Sequence, residues 1–147
     1  EHILHTPTPA MHTEGVRRVN VDFSLEPLNK FRAKLSNFTS RIGPALDKNK
    51  ELFTTRLLEE TKKNASGRPG PNIVTGHYYN AFMILDGKVV NMSPQARRLE
   101  YGFVGTDSLG RQYHQPAFPH FRPALATVSQ EFRGSLGRII IMTWRTS

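Results

Sequence analysis

The clearest pattern in the chain is a row of apolar residues spaced three and four positions apart near its start. The row comprises Leu25, Leu28, Phe31, Leu35, Phe38 and Ile42. Residues with this spacing share one face of an α-helix, and lysines and arginines occupy much of the remaining surface. Ser24 stands just before the row and is a good candidate for the helix N-cap. The pattern predicts an amphipathic helix that begins near residue 25.

A second helical pattern follows the dipeptide Gly43-Pro44 and runs to about Lys63. Its apolar positions are Leu46, Phe53 and Leu57, flanked by Ala45, Leu52 and Leu58. Proline in a helix interior removes one hydrogen bond of the ladder, but it does not dictate the new direction of the chain. Two arrangements are therefore open, an αα-hairpin and one long kinked helix.

The pattern becomes β-like after a loop rich in glycine and proline at 64–71. Residues 78–85 are aromatic and apolar, Asp86-Gly87 is a preferred type I′ turn pair, and residues 88–92 predict the returning strand of a hairpin. Residues 96–103 predict a third strand, followed by a loop that contains Gly105, Asp107 and Gly110.

Three prolines in eight residues mark the segment 115–125, which we call the proline strap. Each proline fixes its own φ, so the chain should be extended up to Phe121. From Pro123 onward apolar residues recur at helical spacing, which places Pro123 in the first turn of a helix. The apolar run 138–144 predicts a last strand.

The first fifteen residues show almost no apolar periodicity and predict an extended arm, and Val16, Val19, Val21 and Phe23 predict a short strand after it. We expect a single α+β domain over residues 16–147. Its N-terminal helices should pack on a small antiparallel sheet, followed by the proline strap and a C-terminal helix.

The composition of the chain narrows its chemistry. The chain has no cysteine, which excludes disulfides and thiolate sites. Its longest apolar run is strand-sized, and its start lacks the pattern of a signal peptide, so we expect a soluble protein without a membrane partner.

The net charge of +8 is spread along the chain. Such a charge favours nucleic acid or an acidic protein surface as partner, and it also simply maintains solubility.

Histidines offer few catalytic or metal-binding arrangements. His2, His5 and His12 lie in the arm, where no scaffold would preorganise metal ligands. His114 and His120 flank the strap near Glu100 in sequence, and a histidine with a carboxylate can act as a general base. Without a nucleophile or substrate pocket, packing and hydrogen bonding are the expected roles of this group. We therefore expect no enzyme activity and no cofactor.

Three sequence blocks occur in a fixed order. They are Val74-Thr75-Gly76-His77-Tyr78-Tyr79-Asn80, then Ala96-Arg97-Arg98-Leu99-Glu100-Tyr101-Gly102, then the strap from Gln115 to Leu125. Together they resemble the neck, or tail-completion, family of long-tailed bacteriophages over roughly residues 24–137. The matching residues are Thr75, Gly76, Glu100, Tyr101, Gly102, Pro119, Phe121, Arg122, Pro123 and Ala124. Two departures are Phe103, where the family usually has threonine, and His120, inserted between Pro119 and Phe121.

The resemblance implies a non-enzymatic virion protein of the head-to-tail junction, made in the host cytoplasm and incorporated during assembly. It implies a ring of identical subunits, a hexamer in the family, that touches a head-closure or connector protein and a tail terminator or tail tube protein. Non-specific contact with DNA in the lumen of the ring would suit the positive charge.

Two other functions remain open from the residues alone. A small basic nucleic-acid-binding module would explain the charge of +8 and the lysine- and arginine-rich helices. A small hydrolase or nuclease would have to use His114, His120 and Glu100 together.

Overall fold

A computed structural model describes residues 24–147 of the chain. The extended arm predicted for residues 1–15 and the strand predicted for residues 16–23 lie outside the described residues. The elements follow one another as helix, short helix, hairpin, short helix, hairpin and helix.

The first helix, α1, runs without interruption over Glu26–Asn64 and contains Pro44 in its interior. Of the two arrangements left open by the sequence, the structure has the single long helix. Leu25, and not Ser24, is the N-cap, although the Ser24 hydroxyl accepts the Glu26 N–H at 3.4 Å. Pro44 has no N–H, so the Ser40 carbonyl lacks the hydrogen bond that it would otherwise accept from residue 44 of the helix. Because Pro44 is exposed, water can bond this carbonyl instead.

The last helix, α4, spans Phe121–Arg145 and has Pro123 in its first turn, as predicted. The strand predicted for 138–144 is wrong, because these residues continue the helix. A four-residue apolar run does not distinguish strand from helix by itself. The deciding contacts are tertiary, since Thr143 is buried and Trp144 packs edge-to-face on Phe31 and Phe38 of α1.

The two long helices pack against each other in antiparallel orientation. Phe53 of α1 meets Phe132 of α4 with ring centroids 5.2 Å apart, and the Ser135 hydroxyl donates to the Asn49 side-chain oxygen at 2.8 Å. Towards the other end, Arg41 of α1 donates to the Thr146 carbonyl at 2.6 Å. The Arg56 guanidinium bonds Glu60 and Glu131 and so links the helices at the surface.

The first hairpin confirms the predicted turn but begins later than expected. Residues His77–Asn80 form a short helix, α2, and the strands are β1, Phe82–Leu85, and β2, Lys88–Asn91. They pair antiparallel with Leu85 opposite Lys88. Asp86 and Gly87 both have positive φ, at 49° and 70°, as a type I′ turn requires.

The third predicted strand, 96–103, is mostly helical. Ala96–Tyr101 form the short helix α3, and only Phe103 belongs to a strand. A second hairpin follows, made of β3, Phe103–Thr106, and β4, Gln112–Gln115, where the sequence predicted a loop. Asp107 builds its turn by accepting the N–H groups of Leu109 and Arg111, each at 2.9 Å.

The fold is α+β, as predicted, with a long N-terminal helix and a C-terminal helix. In place of one small sheet, the described residues form two separate two-stranded sheets. Among residues 24–147, the fully buried apolar side chains are few: Ala65, Phe82, Ala124 and Val128. No helix within this range is both long and apolar enough to cross a membrane.

Candidate functional site

The most elaborate polar site in the structure is built around Glu100, in the last turn of α3. Glu100 as a whole is 6% exposed, and its carboxylate accepts the backbone N–H groups of His120, Phe121 and Arg122, each at 3.0 Å. These N–H groups open α4 and have no carbonyl partner within their own helix. Glu100 therefore caps α4 from another element, and its negative charge complements the positive end of the helix dipole.

Arg122 adds a side-chain clamp to this cap. Its Nε donates to Glu100 Oε1 at 3.1 Å, and one of its terminal nitrogens donates to the Glu100 backbone carbonyl at 3.3 Å. The guanidinium also lies 4.9 Å from the centroid of the Tyr101 ring. Arg122 thus contacts both Glu100 and Tyr101, which belong to the second sequence block.

His120 is the buried centre of the site, with 1% of its surface exposed. Its Nδ1 lies 2.8 Å from the Phe118 carbonyl oxygen and 3.2 Å from Glu100 Oε2, so two acceptors face it. Its Nε2 lies 2.7 Å from the Tyr78 hydroxyl. This arrangement places the proton on Nδ1, and Nε2 then accepts the hydrogen bond that the Tyr78 hydroxyl donates.

Aromatic packing and backbone bonds complete the enclosure. The rings of Tyr78 and Phe82 meet the His120 ring edge-to-face at centroid distances of 5.6 and 5.7 Å. The Asn64 side chain donates to the His120 carbonyl at 3.2 Å, which ties the end of α1 to the start of α4. We call Tyr78, Glu100, His120 and Arg122 the capping cluster.

The strap also lies directly against the second block through its backbone. The Phe118 N–H donates to the Leu99 carbonyl at 2.7 Å. Gly102 has a φ of +78°, and a Cβ there would stand 2.9 Å from the Gln115 carbonyl oxygen. Only glycine fits this position, because both its conformation and its close approach to the strap exclude a side chain.

Protonation in the cluster is set by burial and hydrogen bonding. Burial alone would raise the pKa of the Glu100 carboxyl, but the backbone N–H groups and Arg122 together outweigh it and hold the pKa below its ordinary value. Burial, with a smaller contribution from the Glu100 charge, raises the pKa of Tyr78 to about 12. The cluster therefore contains an ionised carboxylate and a neutral phenol near pH 7.

The structure brings together most, but not all, of the residues singled out in the sequence. Glu100, Tyr101, Gly102, Phe121 and Arg122 meet at the cluster. Ala124 is fully buried in the first turns of α4, near Pro119 and Pro123 in sequence.

Thr75 and Gly76 lie just outside the cluster, in the turn before α2. The Thr75 hydroxyl accepts the His77 N–H at 3.4 Å, and Gly76 has a φ of +78° at the N-cap of α2. They position Tyr78, which the block contained but to which the sequence assigned no role. Asn64 was also missed, because nothing in a sequence pairs a helix C-terminus with a carbonyl 56 positions away.

Beside the cluster lies a cleft of about 510 Å³ between the loop 71–76 and the strap. Its walls include Ile73, Val74, Leu99 and Phe118. The Arg68 guanidinium stacks 4.0 Å from the centroid of the Phe118 ring at one side of it. The cleft is mainly apolar, but its lining also includes Asn72, Thr75 and Gln95, and Arg68 gives it a cationic margin.

The predicted histidine pair is not assembled. His114 is exposed on β4, opposite Val104, whereas His120 is buried and bonded to Tyr78 and Glu100. Within residues 24–147, no group of three or more histidine or carboxylate side chains could hold a metal ion. The predictions for His2, His5 and His12 concern residues outside this range.

Comparisons of the chain with protein-family models, curated proteins and solved structures found no match.

Proposed function

We propose that the protein is a structural subunit of the head-to-tail junction of a tailed bacteriophage, a neck or tail-completion protein. One observation carries the proposal. The three ordered sequence blocks on which the resemblance rests converge at the capping cluster. Glu100 of the second block accepts the N–H groups of Phe121 and Arg122 of the third. Tyr78 of the first block bonds His120, the residue inserted in the third. Blocks that are held together around one buried carboxylate form a physical unit, and this supports treating them as one signature.

The proposed subunit assembles with copies of itself into a ring, a hexamer by resemblance to the family. The ring links a head-closure or connector protein to a tail terminator or tail tube protein in the virion, after assembly in the host cytoplasm. The distribution of apolar side chains supports this role. Residues 24–147 bury few apolar side chains and expose many large ones, including Val74, Val104 and Leu109 at 74–89%. Exposed apolar surface of this kind favours protein partners.

The geometry of the cluster supports a structural and not a catalytic role. Both nitrogens of His120 have partners, and the Glu100 carboxylate accepts four N–H donors. A general base needs a free lone pair within reach of a substrate, and neither group offers one. We therefore propose a non-enzymatic protein without a cofactor.

A basic nucleic-acid-binding module is the second candidate, and one observation favours it. The end of the α1–α4 pair formed by 26–41 and 138–147, which we call the helix-pair end, carries six basic side chains and one carboxylate. In the ring, this charge would suit non-specific contact with DNA in the lumen. A titration of double-stranded DNA binding against salt tests this candidate, and no binding at low salt would remove it.

Mass measurement tests the proposed ring. The purified chain is examined by native mass spectrometry alone and after mixing with the connector and tail proteins encoded in the same genome. We expect a closed homo-oligomer, alone or on one of these templates. A chain that remains strictly monomeric and joins neither protein in any mixture would contradict the proposal.

A further inference from the structure

The second hairpin and the short helix before it hold arginines over aromatic rings. The Arg98 guanidinium lies 4.2 Å from the centroid of the Phe103 ring, and the Arg111 guanidinium lies 5.8 Å from that of the Tyr113 ring. The two rings are neighbours, with centroids 6.4 Å apart. Gly105 leaves room for this packing, since a Cβ there would stand 2.9 Å from the Phe103 ring. We call Arg98, Phe103, Tyr113 and Arg111 the arginine–aromatic row.

A wide cleft of about 870 Å³ adjoins this row and shares Arg98 and Phe103 with it. Arg97, Tyr101 and Val104 also line the cleft, and Tyr101 and Val104 are 62% and 74% exposed. Among the described side chains, carboxylates pair with Arg111 and Arg122 but not with Arg97 or Arg98. The cleft therefore offers two guanidinium groups and an exposed aromatic ring to a partner.

The surface around the cleft is positively charged. Residues 94–115 together with Arg122 contain four arginines and two carboxylates, a net charge of +2. Both carboxylates are largely withdrawn from solvent, since the side chains of Glu100 and Asp107 are 7% and 17% exposed. An approaching polyanion would therefore meet guanidinium groups before it met a carboxylate.

We propose that this surface binds single-stranded nucleic acid, with Arg97 and Arg98 on phosphates and the Tyr101 ring stacked on a base. A guanidinium over a ring uses its face for stacking, and the N–H donors in its plane remain for phosphate oxygens. An exposed aromatic ring stacks on any unpaired base, so such a surface binds single strands without reading their sequence. This site is distinct from the helix-pair end, and the inference does not depend on the proposed function.

Two other anionic partners fit the surface less well. The bases of a duplex are already stacked on one another, so a duplex has no base free for the Tyr101 ring. An acidic peptide would pair with the arginines, but its carboxylates are not attracted to the face of an aromatic ring, which carries partial negative charge.

Fluorescence anisotropy with the full chain tests the proposal. The labelled probes are oligothymidylate and oligouridylate of about 12 nucleotides, within the site sizes of known single-strand binding folds. We expect both to bind at low salt, because the phosphates and the stacking bases are common to DNA and RNA, and the tighter probe identifies the natural source. If neither probe bound at low salt, the proposal would be overturned. Polyglutamate of matched charge that bound as tightly as the oligonucleotides would also overturn it, since the partner would then be an acidic protein.

Charge-neutralising variants place the binding on this surface. Arg97→Gln/Arg98→Gln should raise the Kd for oligothymidylate about tenfold and reduce the slope of log Kd against log salt by about 1.4, or about 0.7 for each lost phosphate contact. Arg133→Gln/Arg138→Gln, at exposed sites on α4, removes the same charge and should change the Kd less than about twofold. Equal weakening by both variants would contradict the site, as would a larger loss of duplex binding than of single-strand binding in Arg97→Gln/Arg98→Gln.

Tyr101→Leu separates stacking from charge. It should weaken oligothymidylate binding at least about fivefold, the lower end of the range for one stacked base. Inorganic polyphosphate has no bases, so its affinity, measured by competition, should change less than about twofold. Circular dichroism checks that the variant is folded. A variant that binds oligothymidylate as wild type does, or that loses both ligands equally, would overturn the stacking role of Tyr101.

Discussion

Glu100 holds the start of α4 from outside that helix. Its Oε1 accepts the backbone N–H and the Nε of Arg122, and its Oε2 accepts the N–H groups of His120 and Phe121. Each carboxylate oxygen therefore accepts two hydrogen bonds. Glutamine, which has the same length, offers only one acceptor oxygen. The importance of Glu100 could be read from its sequence block, but its four partners could not, because they come from the strap twenty positions later.

Replacement of Glu100 by glutamine should destabilise the fold by roughly 2–3 kcal/mol at pH 7. Either orientation of the amide turns an NH₂ donor toward N–H donors that Glu100 now satisfies. Urea denaturation measures the loss. Glu59→Gln, at an exposed site on α1, is the control and should change stability by less than about 0.5 kcal/mol.

The Glu100→Gln difference should also depend on pH. Because the pKa of Glu100 is lowered in the folded state, its ionisation stabilises the fold above the unfolded value of about 4.3. This contribution is lost as the pH falls through the folded pKa. Unfolding free energies of the two proteins should therefore converge in acid, and a difference that is the same at pH 7 and pH 3 would contradict the account.

Tyr78→Phe should cost about 1–2 kcal/mol, because it leaves the buried Nε2 of His120 without a donor. Tyr79→Phe is the matched control, since the Tyr79 hydroxyl forms no hydrogen bond within residues 24–147. It should be nearly neutral in thermal or chemical denaturation. An equal loss of unfolding free energy in the two variants would show that the Tyr78 hydroxyl does not stabilise the fold by donating to His120 Nε2.

At the scale of elements, the two helical segments of α1 and the beginning of α4 follow from the sequence, whereas the continuity of α1 across Pro44 and the short elements do not. The row from Leu25 to Ile42 is long enough to define a helix, and Pro123 marks the start of another. Residues 96–101 are too few to show a period, and their helix is fixed by tertiary contact. Its Leu99 carbonyl accepts the strap's Phe118 N–H, and its Glu100 caps α4.

Two glycine substitutions test the continuity of α4 and the close approach of Gly102 to the strap. Gly137→Ala should stabilise the fold by about 0.5–1 kcal/mol, because Gly137 lies in the interior of α4 with open space around a Cβ. Gly102→Ala should instead destabilise it by roughly 2–3 kcal/mol, because of its positive φ and the nearby Gln115 carbonyl. Thermal denaturation compares them. Destabilisation by Gly137→Ala would argue against an unbroken α4.

At the scale of the whole molecule, the helix pair is well packed, whereas the two hairpins expose large apolar side chains. The capping cluster and the paired aromatic rings of α1 and α4 fix one end and the length of the helix pair. Large apolar side chains nevertheless remain exposed on the first hairpin, at Met83, Ile84 and Leu85, and at the tip of the second, at Leu109. Exposed apolar surface of this kind supports the proposed burial against other protein chains.

The central claim is the place of this subunit in a virion, and an image of that place tests it most directly. Under the proposed function a phage genome encodes the chain, and the measurement is electron cryo-microscopy of that phage's head-to-tail junction at side-chain resolution. We predict a ring of identical copies between the connector and the tail, with Glu100 at the start of α4 in every copy. A junction resolved in full and built only from other proteins would contradict the claim.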